Sequence, residues 1–336
     1  MLRDTRGGST CRIETRAERS VATLLAAGRH RLGLALAALA LVAAAALGTA
    51  ADAAAVLSPD VEAFYPEGPS SDGPDILWAE MPLDRIRRFR NQSVSTVWER
   101  PGCGPTAVKR TGAGAYWVLC HLDHRVLKLS RDFQTVLDIP ADSSGRRIAY
   151  PNDGVVDAQG HLYFSSSGPF SLGAPPSGFV MRADGNGHVS RIAGPLRYPN
   201  GVTINGHTRR LLVSEHLNRR ILEIPFEGIV PPRVPRVFFD FARQGVPPPD
   251  YPLAGPDGLL VTPSGDVAVA EYGAGRILFI SQEGRLLHSH PVPMMFVTNL
   301  LLHPTRPGTL VVVGAFDNAR SPMAGRVIAL PLPRLR

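Results

Sequence analysis

Gly255-Pro256-Asp257-Gly258-Leu259-Leu260-Val261-Thr262-Pro263-Ser264-Gly265-Asp266-Val267-Ala268-Val269-Ala270 holds a Pro-Asp-Gly loop, a short apolar strand, a Pro-Ser-Gly-Asp turn and a second apolar strand. Gly and Pro punctuate both ends, the pattern of a β-hairpin. The same phrase recurs upstream. Pro151-Asn152-Asp153-Gly154-Val155-Val156-Asp157 leads through Gln159-Gly160 into Leu162-Tyr163-Phe164. Pro199-Asn200-Gly201-Val202-Thr203-Ile204 leads through Asn205-Gly206 into Leu211-Leu212-Val213. Each time a carboxylate or an amide stands just ahead of the first strand.

Weaker copies start at Glu67, Thr106 and Asn299. The six markers, at positions 67, 106, 152, 200, 257 and 299, are separated by 39, 46, 48, 57 and 42 residues. A period of about 40–50 residues with roughly four strands per unit predicts a β-propeller, here all-β and six-bladed. Dense Pro and Gly at 169–178 and 231–252 read as loops or blade-edge excursions. The strand at Asp60-Val61-Glu62-Ala63-Phe64-Tyr65 has no hairpin partner beside it, and the last unit reaches Arg336 after about three strands. The early strand is therefore expected to complete the last blade and close the ring, removing an exposed edge. Residues 54–336 would then form one domain.

With 44% apolar and 19% charged residues the chain reads as a folded globule, and its 33 Gly and 31 Pro suit many strands joined by tight turns. Residues 1–31 carry seven Arg against three acids, Leu32 to Ala51 is uncharged, and Ala51-Asp52-Ala53 offers a small-x-small site. That order reads as a secretory signal peptide over residues 1–53 with an extended N-terminus, implying a periplasmic or secreted protein. The alternative is an uncleaved membrane anchor, since such a stretch can just span a bilayer. About +4 of the net +7 belongs to the remainder. No Lys/Arg run with interleaved aromatics is found, so no nucleic-acid role is inferred. Cys103 and Cys120 are left after the leader, as a disulfide or as two buried thiols.

The innermost strand of a propeller blade runs along the central channel, so the residue before it sits at a channel mouth. Glu67, Thr106, Asn152, Asn200, Asp257 and Asn299 would meet there. Two carboxylates and up to three amides make an oxygen-rich set of the kind hard cations such as Ca²⁺ take. Asn, Asp and Thr also occupy tight turns, where they bond to their own backbone; the metal reading rests on their shared register. His121 follows the second strand of the second unit and returns to the same mouth, as an acid/base or substrate contact. No Gly-x-Ser-x-Gly elbow, Cys-x-x-Cys pair or P-loop is present. His288 and His290 read as surface residues.

Over residues 60 to 330 the chain resembles the regucalcin–gluconolactonase family of six-bladed propellers. The likeness rests on Glu67-Gly68-Pro69 before a Leu-Trp strand, Pro151-Asn152-Asp153-Gly154, Pro199-Asn200-Gly201 and Gly255-Pro256-Asp257-Gly258. It implies a divalent metal (Ca²⁺, with Zn²⁺, Mg²⁺ or Mn²⁺ as alternatives) on Glu67, Asn200 and Asp257. Asn152 matches a residue of the family's substrate pocket. The implied activity is metal-dependent hydrolysis of a lactone or related small ester, with the metal polarising the carbonyl and Asp257 as general base. Tyr150, His121, Glu215 and Asn299 join Asn152 as candidate substrate contacts. Three departures are noted. Tyr150 stands where sugar-lactonase members often carry Arg, Ser165-Ser166-Ser167 where some carry an acid, and Glu215-His216 where many carry Asp. The stretch 213–221 also looks like strictosidine synthase-like propellers. The rival readings are a non-catalytic propeller binding a small ligand or a protein, and a strictosidine synthase-like protein.

Overall fold

The structure, a computed structural model, describes residues 58–225 and 234–335. The leader expected at residues 1–53 lies outside them, as does part of the 231–252 insertion.

Among the described residues strand follows strand with only two single-turn helices between, at Met81–Leu83 and His216–Asn218. Four separate four-stranded antiparallel meanders form. They open with the strands Pro66–Asp72, Pro105–Arg110, Pro151–Val156 and Pro199–Asn205. A proline can head each strand because the first position of an edge strand needs no ladder donor. The second strand of each sheet carries an apolar run, as in Tyr116–Cys120 and Leu162–Ser166, and every residue of these two is buried. Such strands are covered on both faces, so the usual alternation disappears. The outermost strand Ser93–Glu99, by contrast, has no buried residue.

Neighbouring sheets stack face to face. Leu119, Val126 and Ile139 of the second pack on Leu162, Phe164 and Met181 of the third. Leu212 and Phe239 of the fourth pack on Val269 and Leu278. Each such side chain contributes about 1.5–3 kcal/mol on burial.

The remaining strands depart from the expected count of six separate blades. They form one eight-stranded sheet, in which Gly255–Val261, Val267–Tyr272, Arg276–Ile280 and Leu286–Pro291 join Phe296–Leu302, Thr309–Ala315, Ala324–Pro331 and Asp60–Phe64. The physical reason is local: Tyr272 pairs with Phe296 and stitches the two meanders into one ladder. The orphan strand Asp60–Phe64 pairs antiparallel with Ala324–Pro331, Asp60 opposite Ile328. The protein is an all-β propeller with four free-standing four-stranded blades. Cys103 and Cys120 form a disulfide at the edge of the second sheet.

Candidate functional site

The marker residues lie inside the innermost strands, not in the turns before them. Each of these strands slips register near its start: between Glu67 and Ser70, Pro151 and Gly154, Pro199 and Val202, and Pro256 and Leu259. A bulge re-aims the side chains at its centre, and here it turns the marker toward the axis. The glycine that follows serves a second purpose. A Cβ on Gly68 would stand 2.3 Å from the carbonyl oxygen of Thr106, and one on Gly201 would stand 2.1 Å from that of Asp257. Only glycine lets the backbones of adjacent inner strands meet this closely.

At one channel mouth a cavity of about 380 Å³ is lined by Glu67, Thr106, His121, Asn152, Asn200 and Asp257 together with an aromatic group. Three of the predicted contacts are not among its lining. Glu215 is buried, but its Oε2 accepts from Arg220 Nε at 2.5 Å and its Oε1 from the Arg197 amide at 2.9 Å. The same pair recurs as Glu80–Arg85 at 2.6 Å and Glu271–Arg276 at 2.5 Å. In all three the Glu lies at or one residue before the end of the second strand and pairs in register with an Arg that opens the third. Glu215 is thus a strand-end brace. Tyr150 packs on the rings of His121 and His124. Asn299 accepts its neighbour Leu300's amide on Oδ1 at 2.8 Å. The residue in the marker register there is Thr298, whose hydroxyl donates to Pro66 O at 2.6 Å. A slip of one residue in a strand exchanges faces. Thr106 behaves like Thr298, donating to Asn152 O at 2.8 Å.

The carboxyl groups of Glu67 and Asp257 are nearly inaccessible and both are held well above the ordinary carboxylate range. For Glu67 burial is the main cause, then repulsion from Asp257 and Asp153, with Lys109 opposing. For Asp257 it is burial, then Asp153. Lys109 is itself engaged by Asp153 at 2.8 Å. The side-chain oxygen of Asn200 is buried without a hydrogen-bond partner. Two crowded carboxylates and an orphaned amide oxygen are a set that a hard cation satisfies, so these residues fit a divalent metal. Among the described residues no cluster of three His, Cys, Asp or Glu presents an all-ionisable alternative.

Both pocket histidines are neutral near pH 7. Burial lowers His121 and His216 to about 4. His121 Nδ1 donates to Pro151 O at 3.1 Å and His216 Nε2 to Leu253 O at 2.8 Å.

The aromatic part of the lining went unread in the sequence. Tyr65, Phe170, Tyr198, His216, Tyr251, Tyr272 and Asn318 form it. One signal was available. Tyr65, Tyr150 and Tyr198 each stand immediately before the proline of an inner strand, and each has a left-handed φ, of 44°, 53° and 54°. Gly104 holds the same place before Pro105 with φ of 51°. A bulky residue in this region costs about 1–2 kcal/mol, and such strain gathers at functional sites. Phe170, on the 169–178 insertion, carried no comparable mark.

Residues 65–315 match the SMP-30/gluconolactonase/LRE-like region, and the chain belongs to that family. A gluconolactonase from Xanthomonas campestris superposes with a TM-score of 0.64 at 20% identity, over 80% of this chain and 87% of that one. Regucalcin from Agrobacterium tumefaciens, a calcium-binding protein, gives 0.64 at 16% identity over 83% and 98%. A luciferin-regenerating enzyme gives 0.63 at 17% identity over 81% and 95%. No curated protein matches the sequence.

Proposed function

We propose that the protein is a lactonase-like hydrolase that opens a lactone or related small ester with the help of a divalent cation. The observation that carries this is the meeting of Glu67, Asn200 and Asp257, from three sheets, in one buried cavity whose neighbouring cation, Lys109, is engaged by Asp153. Those three would hold the ion, with calcium favoured by the all-oxygen set. When bound, the cation supplies Lewis-acid polarisation of the ester carbonyl. Asp257 accepts a proton from the attacking water as general base. The proton that Asp257 takes passes to the departing alkoxide; Asn152 and His121 line the same cavity, His121 with Nε2 as acceptor because Nδ1 donates to Pro151 O. The strictosidine synthase-like alternative expects the three oxygen ligands apart, which their common cavity disfavours.

The ring itself is part of this reading. The eight-stranded sheet counts as two blades joined at one residue pair, Tyr272 with Phe296. The strand Asp60–Phe64 then completes the last blade and closes the ring. The bond from Thr298 to Pro66 O, at 2.6 Å, and the shared packing of Ile76 and Trp78 with Val311 and Val313 support that closure.

The test is hydrolysis of a panel of lactones and esters, with Ca²⁺ and with chelator. Turnover that chelator abolishes and calcium restores is expected. Calcium binding without turnover of any panel member would leave only a binding module.

A further inference from the structure

The pocket that this reading treats as a hydrolase site has two unlike sets of lining residues, and the aromatic set carries information about what enters it. Phe170 centres a group of rings: Tyr198 lies 4.7 Å away between centroids, His216 5.3 Å and Tyr272 6.3 Å. Tyr251 continues the group at 6.0 Å from Tyr272. Phe170 is 36% exposed, so one part of its ring faces open space at the mouth, and Leu122, 54% exposed, borders the same cavity.

Most polar atoms of this lining are already committed, with His216 Nδ1 left without a partner. The hydroxyls of Tyr65 and Tyr272 share a hydrogen bond of 2.9 Å. Asn318 Nδ2 donates to both Tyr251 and Tyr272 hydroxyls at 2.9 Å. Thr106 and both histidines direct hydrogen bonds to backbone carbonyls. A polyhydroxylated ring entering here would lose water from its hydroxyls and find few replacements, and an unmet buried polar group is costly. Charge points the same way. Among the described residues no Lys or Arg lines the cavity, the two histidines are neutral, and the nearby cations Lys109 and Arg219 are held by Asp153 and Glu271 at 2.8 Å each. An anionic substrate has nothing to pair with beyond the cation.

We propose that the site selects an uncharged ester or lactone bearing an aromatic ring, the ring stacked against Phe170, Tyr198 and Tyr272 and the carbonyl turned to Glu67, Asn200 and Asp257, in place of a polyhydroxylated sugar lactone. This rests on the hydrolase reading for the carbonyl end only. Aromatic stacking and apolar burial supply the affinity of the other end.

Calorimetric titration of the calcium-loaded full chain with two unreactive lactams separates the two. Dihydroquinolinone represents the aromatic class and gluconolactam the sugar class. The aromatic lactam is expected to bind tighter by about tenfold, and Phe170→Ala, at a partly exposed loop position, to reduce that ratio toward unity. Equal or tighter binding of gluconolactam overturns the proposal, as does an absence of binding by both lactams. Dihydrocoumarin turnover is read in parallel. An aromatic preference without hydrolysis of any lactone sustains the recognition claim and sinks the hydrolase reading; efficient hydrolysis with a sugar preference does the reverse.

Discussion

Glu80, Glu215 and Glu271 are as deeply buried as Glu67 and Asp257, yet the two sets keep different company. Each of the first three lies at or next to a strand end and meets an Arg five residues on; Glu271 meets a second, Arg219, at 2.8 Å. Glu67 and Asp257 meet each other and Asp153. A buried carboxylate normally persists only with a partner. Where the chain provides one, the group braces the blade. Where it withholds one, the group is poised to take up a proton or a cation. The difference separates scaffold from site more sharply than burial or residue type does.

Exchanging the two roles gives the strongest test. Asp257→Asn should lower lactone turnover on the order of 10³-fold while the urea midpoint holds or rises, because repulsion with Glu67 disappears. Glu215→Gln should leave kcat/KM little changed. If Asp257→Asn kept full activity, the assigned base would be wrong. Glu271→Gln should have the opposite profile. It strands Arg219 and Arg276, so the unfolding free energy should fall by about 3 kcal/mol, read from urea curves, with catalysis per folded molecule retained. A cation should stabilise only through the unpaired set. Calcium at a hundredfold over its Kd should add about 2.7 kcal/mol. Glu67→Gln and Asp257→Asn should erase the gain, and Glu80→Gln should not.

The smallest effect is on pH. Both site carboxyls titrate above their unfolded range when no cation is bound. A raised carboxyl pKa means that the folded chain binds more protons than the unfolded one. Their contribution is therefore fully present below about pH 4, the unfolded value, and declines as pH rises through the folded values. In chelator, stability should slope downward above that point; calcium should flatten the slope. An unchanged slope in both conditions would mean that the cation does not sit on these two groups.

The sequence carried the hairpins, their period and the common register of Glu67, Asn152, Asn200 and Asp257, because turn chemistry is local. It did not carry the bulges, which depend on how one strand pairs with the next. That is why Asn299 was read in place of Thr298. Glu215 looked available because its partner is identified only by cross-strand register, although the spacing Glu80–Arg85, Glu215–Arg220 and Glu271–Arg276 repeats plainly. The Tyr-Pro steps at 65, 150 and 198 were legible as a repeat, yet Tyr150, the predicted contact, does not line the cavity, while Tyr65 and Tyr198, which were not predicted, do. Phe170 was beyond reach, since the course of a long insertion over the mouth is set by tertiary contacts.

Gly68 and Gly201 have an effect that outlasts any single contact. With main chain touching main chain around the axis, the span between the oxygen donors is dictated by peptide geometry, out of reach of drift in neighbouring side chains. The rim can then exchange rings, loops and hydroxyls from one lineage to another while the spacing at the centre stays put, which lets a single scaffold change its diet without rebuilding its hearth.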